Sequence, residues 1–182
     1  MTIQFKSLPN IAEGDELAIN VGSNCYFTSD ISNLTWLPDQ PYTAGGWGYI
    51  GGKAHSTTSE IYNTLDGPIY QTWREGNWSY KIDAPIGEYE IELLIADVTK
   101  PAAQLANLLN KNKEEKHSGE TRFHISICGK QVETNFSPID GGKHRTAFKR
   151  RYIIRNEHDH IVISAGAVKG EPFLAGIKVR KL

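Results

Sequence analysis

Gly87-Glu88-Tyr89-Glu90-Ile91-Glu92-Leu93-Leu94-Ile95-Ala96-Asp97 is the stretch on which the fold turns. Tyr89, Ile91, Leu93 and Ile95 recur at every second position, with acids between the first of them. Side chains of a strand point alternately to its two faces, so this spacing predicts a strand with one apolar face. The same period recurs on both sides. Phe123, Ile125 and Ile127 alternate with Arg122, His124 and Ser126, and Phe173, Ala175, Ile177 and Val179 alternate with Leu174, Gly176, Lys178 and Arg180. Shorter runs of this kind occupy 16–21, 68–73, 78–83, 130–136, 147–154 and 160–165. Turn signals part them: Asp66-Gly67-Pro68, Pro85-Ile86-Gly87, Cys128-Gly129-Lys130, Asp140-Gly141-Gly142 and Asn156-Glu157. Many short half-buried strands between turns predict an all-β sandwich of two antiparallel sheets, with the 89–97 strand central.

One segment departs from the pattern. Over 101–116, Ala102, Leu105, Leu108 and Leu109 share a helical face, with Thr99 as a cap and Pro101 in the first turn. A short helical insertion near 100–117 is expected, covering an end or edge of the sandwich, with 110–118 exposed. No repeat or linker divides the chain. Residues 1–14 read as an N-terminal extension or linker and 15–182 as one domain.

The 182 residues carry 20 Lys plus Arg and 21 Asp plus Glu, a formal charge of −1. That balance supplies no field to hold a polyanion, which argues against a nucleic-acid binder. No apolar run approaches the length of a membrane span, and Met1–Gly14 holds no continuous apolar signal core. Cys25 and Cys128 allow one bridge, two buried thiols being the commoner outcome, and their spacing fits no zinc pattern.

Several motifs point to chemistry and fall short of it. Gly46-Trp47-Gly48-Tyr49-Ile50-Gly51 has the glycine spacing of a dinucleotide loop, but no helical pattern follows it. His158 and His160 could share a strand face, yet a metal site needs three or four converging ligands. Asp66, Asp97, Asp140 and Glu171 could serve hydrolysis, but no motif couples two of them across a cleft. The expectation is a domain with no catalytic residues, no metal and no cofactor. Lys143–Arg155 holds six Lys or Arg and no acid. It reads first as a solvated edge that discourages strand pairing, and otherwise as a nucleic-acid contact or as support for an anionic glycan.

The aromatics are unevenly spread. Of 18, 11 lie between Tyr26 and Tyr80, including all four tryptophans, Trp36, Trp47, Trp73 and Trp78. Residues 24–67 are rich in Ser, Thr, Asn, Asp and Gly, and Ala44–Gly52 has five glycines in nine residues. Large rings on polar, glycine-rich loops suggest recognition. Sugar rings lay C–H faces on aromatic planes and pair their hydroxyls with polar side chains, so Trp47, Tyr49, Trp73, Arg74 and Trp78, with Trp36 as a further ring, are candidate carbohydrate-binding residues.

The order of motifs resembles the malectin domain and malectin-like carbohydrate-binding modules. It runs through Ile19-Asn20-Val21-Gly22, Ile69-Tyr70-Gln71-Thr72-Trp73-Arg74, Gly87–Asp97, Gly119-Glu120-Thr121-Arg122-Phe123 and Pro172–Val179. The resemblance covers about 15–182 and implies a jelly-roll sandwich whose loops grip a short glycan at one end. It maps the family's ligand-binding positions onto Trp47 or Tyr49, onto Trp73 with Arg74, and onto Glu171 as the acid before the last strand. The family's aromatic pair after its A-E motif has no counterpart, since Thr99-Lys100 follows Ala96-Asp97-Val98. The family's glucose-disaccharide specificity is therefore not expected here. Bacterial relatives of this type are appended to large glycosidases, especially β-galactosidase-like enzymes of glycoside hydrolase family 2. The resemblance thus implies a non-catalytic module that binds a plant or algal type oligosaccharide or polysaccharide beside a catalytic domain. It also implies a secreted bacterial enzyme, periplasmic or extracellular. The rival expectation is a packing or oligomerisation module of that glycosidase, its rings buried in the interface.

Overall fold

The structure, a computed structural model, describes residues 14–98, 121–138 and 144–182. Its strands are β1 (Glu16–Asn20), β2 (Phe27–Thr28), β3 (Thr35–Pro38), β4 (Trp47–Ser56), β5 (Thr72–Asp83), β6 (Gly87–Ile95), β7 (Arg122–Ile127), β8 (Lys130–Phe136), β9 (Phe148–Asn156), β10 (His160–Lys169), β11 (Phe173–Leu174) and β12 (Gly176–Lys181). A single helical turn, α1 (Gly67–Tyr70), precedes β5. One sheet runs β2-β3-β1-β12-β6-β9, and the other runs β11-β5-β10-β7-β8 with β4 also on β5. Within the sheets every pairing is antiparallel except β1 with β3. The two sheets close on one core. Leu17, Ile19, Ile91, Leu93, Ile177 and Val179 come from the first, and Tyr80, Ile82, Phe123, Ile125, Ile161 and Ile163 from the second. Each such side chain contributes roughly 1.5–3 kcal/mol on burial.

The alternating stretch on β6 is buried throughout from Tyr89 to Ile95. Tyr89, Ile91, Leu93 and Ile95 fill the core. The intervening acids lie beneath basic side chains of the flanking strands. Glu92 meets Lys149 and Arg151 of β9 at 3.3 Å each, and Glu90 meets Arg180 of β12 at 3.3 Å. Two of the six basic residues in the run that stood out in the sequence, Lys149 and Arg151, therefore neutralise acids within the sheet. β6 is paired on both sides but stands one strand in from the β9 edge, not at the centre.

The strand registers define two ends. Asn20 pairs with Gly176 and Gly176 with Leu94, while Leu174, just before, pairs with Arg74 near the start of β5. Segments 21–26, 57–71, 96–98, 144–147 and 170–172 gather at that end, here called the loop end. Segments 40–46, 83–87, 128–130 and 156–160 gather at the other.

Two sequence expectations need correction. The run 68–73 is not one strand, because Pro68 starts a helical turn and β5 begins only at Thr72. Ala44–Gly52 is not a loop presenting rings, because Trp47 opens a ten-residue strand. Its glycines allow a kink: Gly51 and Gly52 take φ of +75° and +69° where β4 shifts register against β5. The expected insertion near 100–117, with Leu105, Leu108 and Leu109, lies outside the described residues, as does nearly all of 1–14.

Candidate functional site

All four tryptophans are buried. Trp47 pairs with Ile82 at the far end, whereas His55, eight residues on along β4, pairs with Trp73 at the loop end. For an extended strand that separation is on the order of 25 Å. Trp47 and Trp73 therefore cannot line one cleft, and the structure does not bring them together.

Tyr49 and Arg74 do meet. The Arg74 guanidinium carbon lies 3.3 Å from the centroid of the Tyr49 ring. Its Nε and Nη2 both donate to Asp39 Oδ2, at 3.1 and 2.8 Å, and Nη1 donates to the carbonyls of Gly51 and Gly52. Asp39 also accepts the Tyr80 hydroxyl at 3.0 Å and the Gly22 N–H at 2.8 Å. Burial works against the charge on Arg74, but the hydrogen bonds and charge of Asp39 outweigh it and raise its pKa above the ordinary range. Burial, reinforced by Asp39, pushes the Tyr80 phenol well up, so it stays a donor. The arrangement makes Arg74 an internal strut tying β5 to the segment after β3, not a side chain extended towards a ligand. Asp39 escaped the sequence reading because nothing in local spacing links it to Arg74.

Trp73 turns to other partners. It stacks on His55, centroids 5.6 Å apart and planes 20° apart, and its Nε1–H donates to Glu75 Oε2 at 3.4 Å. His55 Nε2 lies 3.5 Å from the same oxygen and is the solvent-facing member of the stack. Glu171 is exposed, close to Gly76. The Pro172 carbonyl accepts both the Gly76 N–H and the Trp78 Nε1–H, which fixes the turn that carries it. Trp73 and Glu171 thus belong to the loop end.

The exposed rings at that end are tyrosines. Tyr26 is 50% and Tyr62 46% exposed. Their loops are stitched together. Ser29 Oγ donates to Asp66 Oδ2, Tyr62 N–H to the Arg145 carbonyl, and Arg145 N–H to the Asp97 carbonyl. The Arg145 guanidinium lies 5.3 Å from the Tyr62 centroid. Both tyrosines stand in the Ser-, Thr- and Asn-rich stretch already marked by composition, but tryptophan outweighed them.

Among the described residues no group of three or more His, Cys, Asp or Glu converges on a metal position. The His158 and His160 rings stack 6.0 Å apart, and His160 Nδ1 lies 2.6 Å from Asp159. Cys25 is an exposed free thiol and Cys128 a half-buried one. No helix among the described residues is long and apolar enough to cross a membrane.

A two-sheet sandwich with stitched loops, exposed rings and a carboxylate at one end has the fold of a malectin-like carbohydrate-binding domain. The sequence profile of the Malectin domain matches residues 16–177, and the chain belongs to that family. Its fold recurs in solved structures. Over 92% of its length it superposes on Bacteroides uniformis β-glucuronidase 2, covalently bound there to cyclophellitol-6-carboxylate aziridine, with a TM-score of 0.79 and 45% identity. It spans only 18% of that chain. The Arabidopsis thaliana ANX2 ectodomain shares the fold alone, at TM-score 0.65 and 14% identity over 91% of this chain and 49% of the other. The kinesin-like protein KIN-14E of Oryza sativa subsp. japonica is 28% identical over 136 residues, 73% of this chain and 12% of that protein.

Proposed function

We propose that the chain is the non-catalytic carbohydrate-binding module of a larger glycoside hydrolase and takes an oligosaccharide at its loop end. Family membership over 16–177 supports the ligand class, and 45% identity to a stretch of β-glucuronidase supports the parent. That neighbour favours a glucuronidase-type parent over the β-galactosidase type expected from the motifs. The same reading puts the protein in the periplasm or outside the cell. The site rests on one observation: Tyr26 and Tyr62 are exposed on stitched loops at the end that also carries Glu171. The rings offer faces to sugar C–H groups and Glu171 accepts from hydroxyls, with Trp73 behind His55 at the margin. Each such contact yields only about 1–3 kcal/mol before ordering costs, so the dissociation constant is on the order of 0.01–1 mM.

The rival reading, a packing module without a glycan site, gains from the burial of all four tryptophans inside the chain, which removes the ring count as an argument for a ligand. Calorimetric titration with gluco-, galacto- and uronic-acid oligosaccharides separates the two. Tyr62→Ala and Tyr26→Ala are expected to weaken binding about tenfold or more, with the unfolding midpoint little changed. Absence of heat with the whole panel, or full affinity in both variants, overturns the loop-end site.

A further inference from the structure

At the end opposite those loops, a cleft of about 540 Å³ opens between β8 and β9, the end strands of the two sheets among the described residues. That is the size of a small-molecule site. The two edges are held together higher up, where the Tyr152 hydroxyl donates to Glu133 Oε1 at 2.9 Å and Arg150 Nε lies 3.4 Å from the same oxygen. Below that clasp the lining includes aliphatic side chains from both sheets, Ile127 and Val132 of β7 and β8 and Ile153 and Ile154 of β9. The rim is basic: Lys130, Arg151, Arg155 and His158 line it against one acid, Glu157. Arg151 is engaged with Glu90 and Glu92. Lys130 and Arg155 stand outside the ion pairs found among the described residues, although Arg155 is opposite Glu88 in the register.

We infer that this cleft is a second binding site, for an acidic saccharide whose ring carries a carboxylate. Discouraging edge pairing would explain charge along β9. It would not explain a cavity, nor a facing cation on the β7–β8 turn. A compact inorganic anion would use the cations and leave the aliphatic wall bare. A carboxylated sugar ring uses both, its carboxylate between Lys130 and Arg155 and its C–H face on Val132 and Ile154. A guanidinium pairs with a carboxylate through two parallel donors, which favours this anion at Arg155. The site lies at the other end from the tyrosines and stands whether or not the loop end binds a glycan.

The test titrates the chain with a uronic-acid disaccharide, its neutral hexose counterpart, a sulfated disaccharide and acetate, following backbone amide signals by NMR. The expected result is saturable shifts at Val132, Ile154 and Arg155 with the uronic-acid disaccharide, and none there with the neutral sugar or acetate. Lys130→Gln with Arg155→Gln should weaken that binding at least tenfold, higher salt should weaken it further, and Tyr62→Ala should leave it unchanged. Both replaced side chains sit at the surface, so the fold is retained. Equal binding of the neutral sugar, a response to the sulfated sugar alone, or full affinity in the double variant each overturns the proposal. So does protection of the cleft by the catalytic part of a longer parent enzyme.

Discussion

Arg74 Nη2 lies 2.8 Å from Asp39 Oδ2, with the two side chains only 6% and 3% exposed. A charge pair this far from water costs much to break from one side, because the remaining charge stays buried. Asp39 also holds Tyr80 and the Gly22 N–H, so one carboxylate joins β5, the turn after β1 and the segment after β3.

Asp39→Ala should therefore destabilise the domain by about 3–5 kcal/mol in urea unfolding. Arg74→Lys keeps the charge but loses the planar fork, and should cost less. A double-mutant cycle on the pair should show non-additivity; additive losses would mean that the two side chains act independently.

Gly22 and Gly129 separate two costs. Both have positive φ, +77° and +74°. A Cβ on Gly22 would lie 2.4 Å from the Trp73 carbonyl oxygen, whereas nothing lies within 4 Å of one on Gly129. Gly129→Ala should cost about 1 kcal/mol in thermal or urea unfolding, the backbone term alone. Gly22→Ala should cost at least about 3 kcal/mol, because β5 backbone must move. Equal losses would show that the close approach is relieved cheaply.

Acid sensitivity should trace in part to Glu92. Burial alone raises its pKa, but Lys149, Lys178 and Arg151 outweigh burial and hold it below the ordinary 4.5. A carboxyl depressed by folding contributes stability that is complete above the unfolded pKa and is lost as pH falls through the lower folded one. Stability should thus decline below about pH 4.5, and Glu92→Gln should flatten that decline while lowering stability at neutral pH. Urea midpoints at pH 7 and at pH 3 would show it. An unchanged acid slope in the variant would assign the effect elsewhere.

Trp47→Ala should cost about 3–5 kcal/mol as a core truncation and leave glycan affinity of the folded protein unchanged. Loss of binding with intact stability would return Trp47 to the site.

The two thiols should react separately. Cys25 is exposed at the loop end, and Cys128, at the opposite end, has its thiol pushed up by burial. Brief alkylation followed by mass spectrometry should label Cys25 first. An oxidised Cys25–Cys128 pair would contradict the placement of the two residues at opposite ends.

The sandwich was legible because alternation is a local property. Tyr89 to Ile95, Phe123 to Ile127 and Ile177 to Val179 state which face is apolar without knowing their neighbours, and the family's motif order adds where the loops gather. The site was legible only in composition. Sequence marked residues 24–67 as ring-rich and polar, and it placed Glu171 before the last strand, but it could not rank rings by exposure. Trp47 is buried because β4 pairs with β5, and Arg74 is withdrawn because Asp39, 35 positions earlier, is folded onto it. Those pairings join residues far apart in the chain, and no local period encodes them. The sequence by itself determined the alternating strands such as β6, β7 and β12, and the family. The tertiary structure decided which rings reach water, which charges are struts, and that the basic run ends beside a cleft, because burial follows from what packs across the sheets and not from the residue alone.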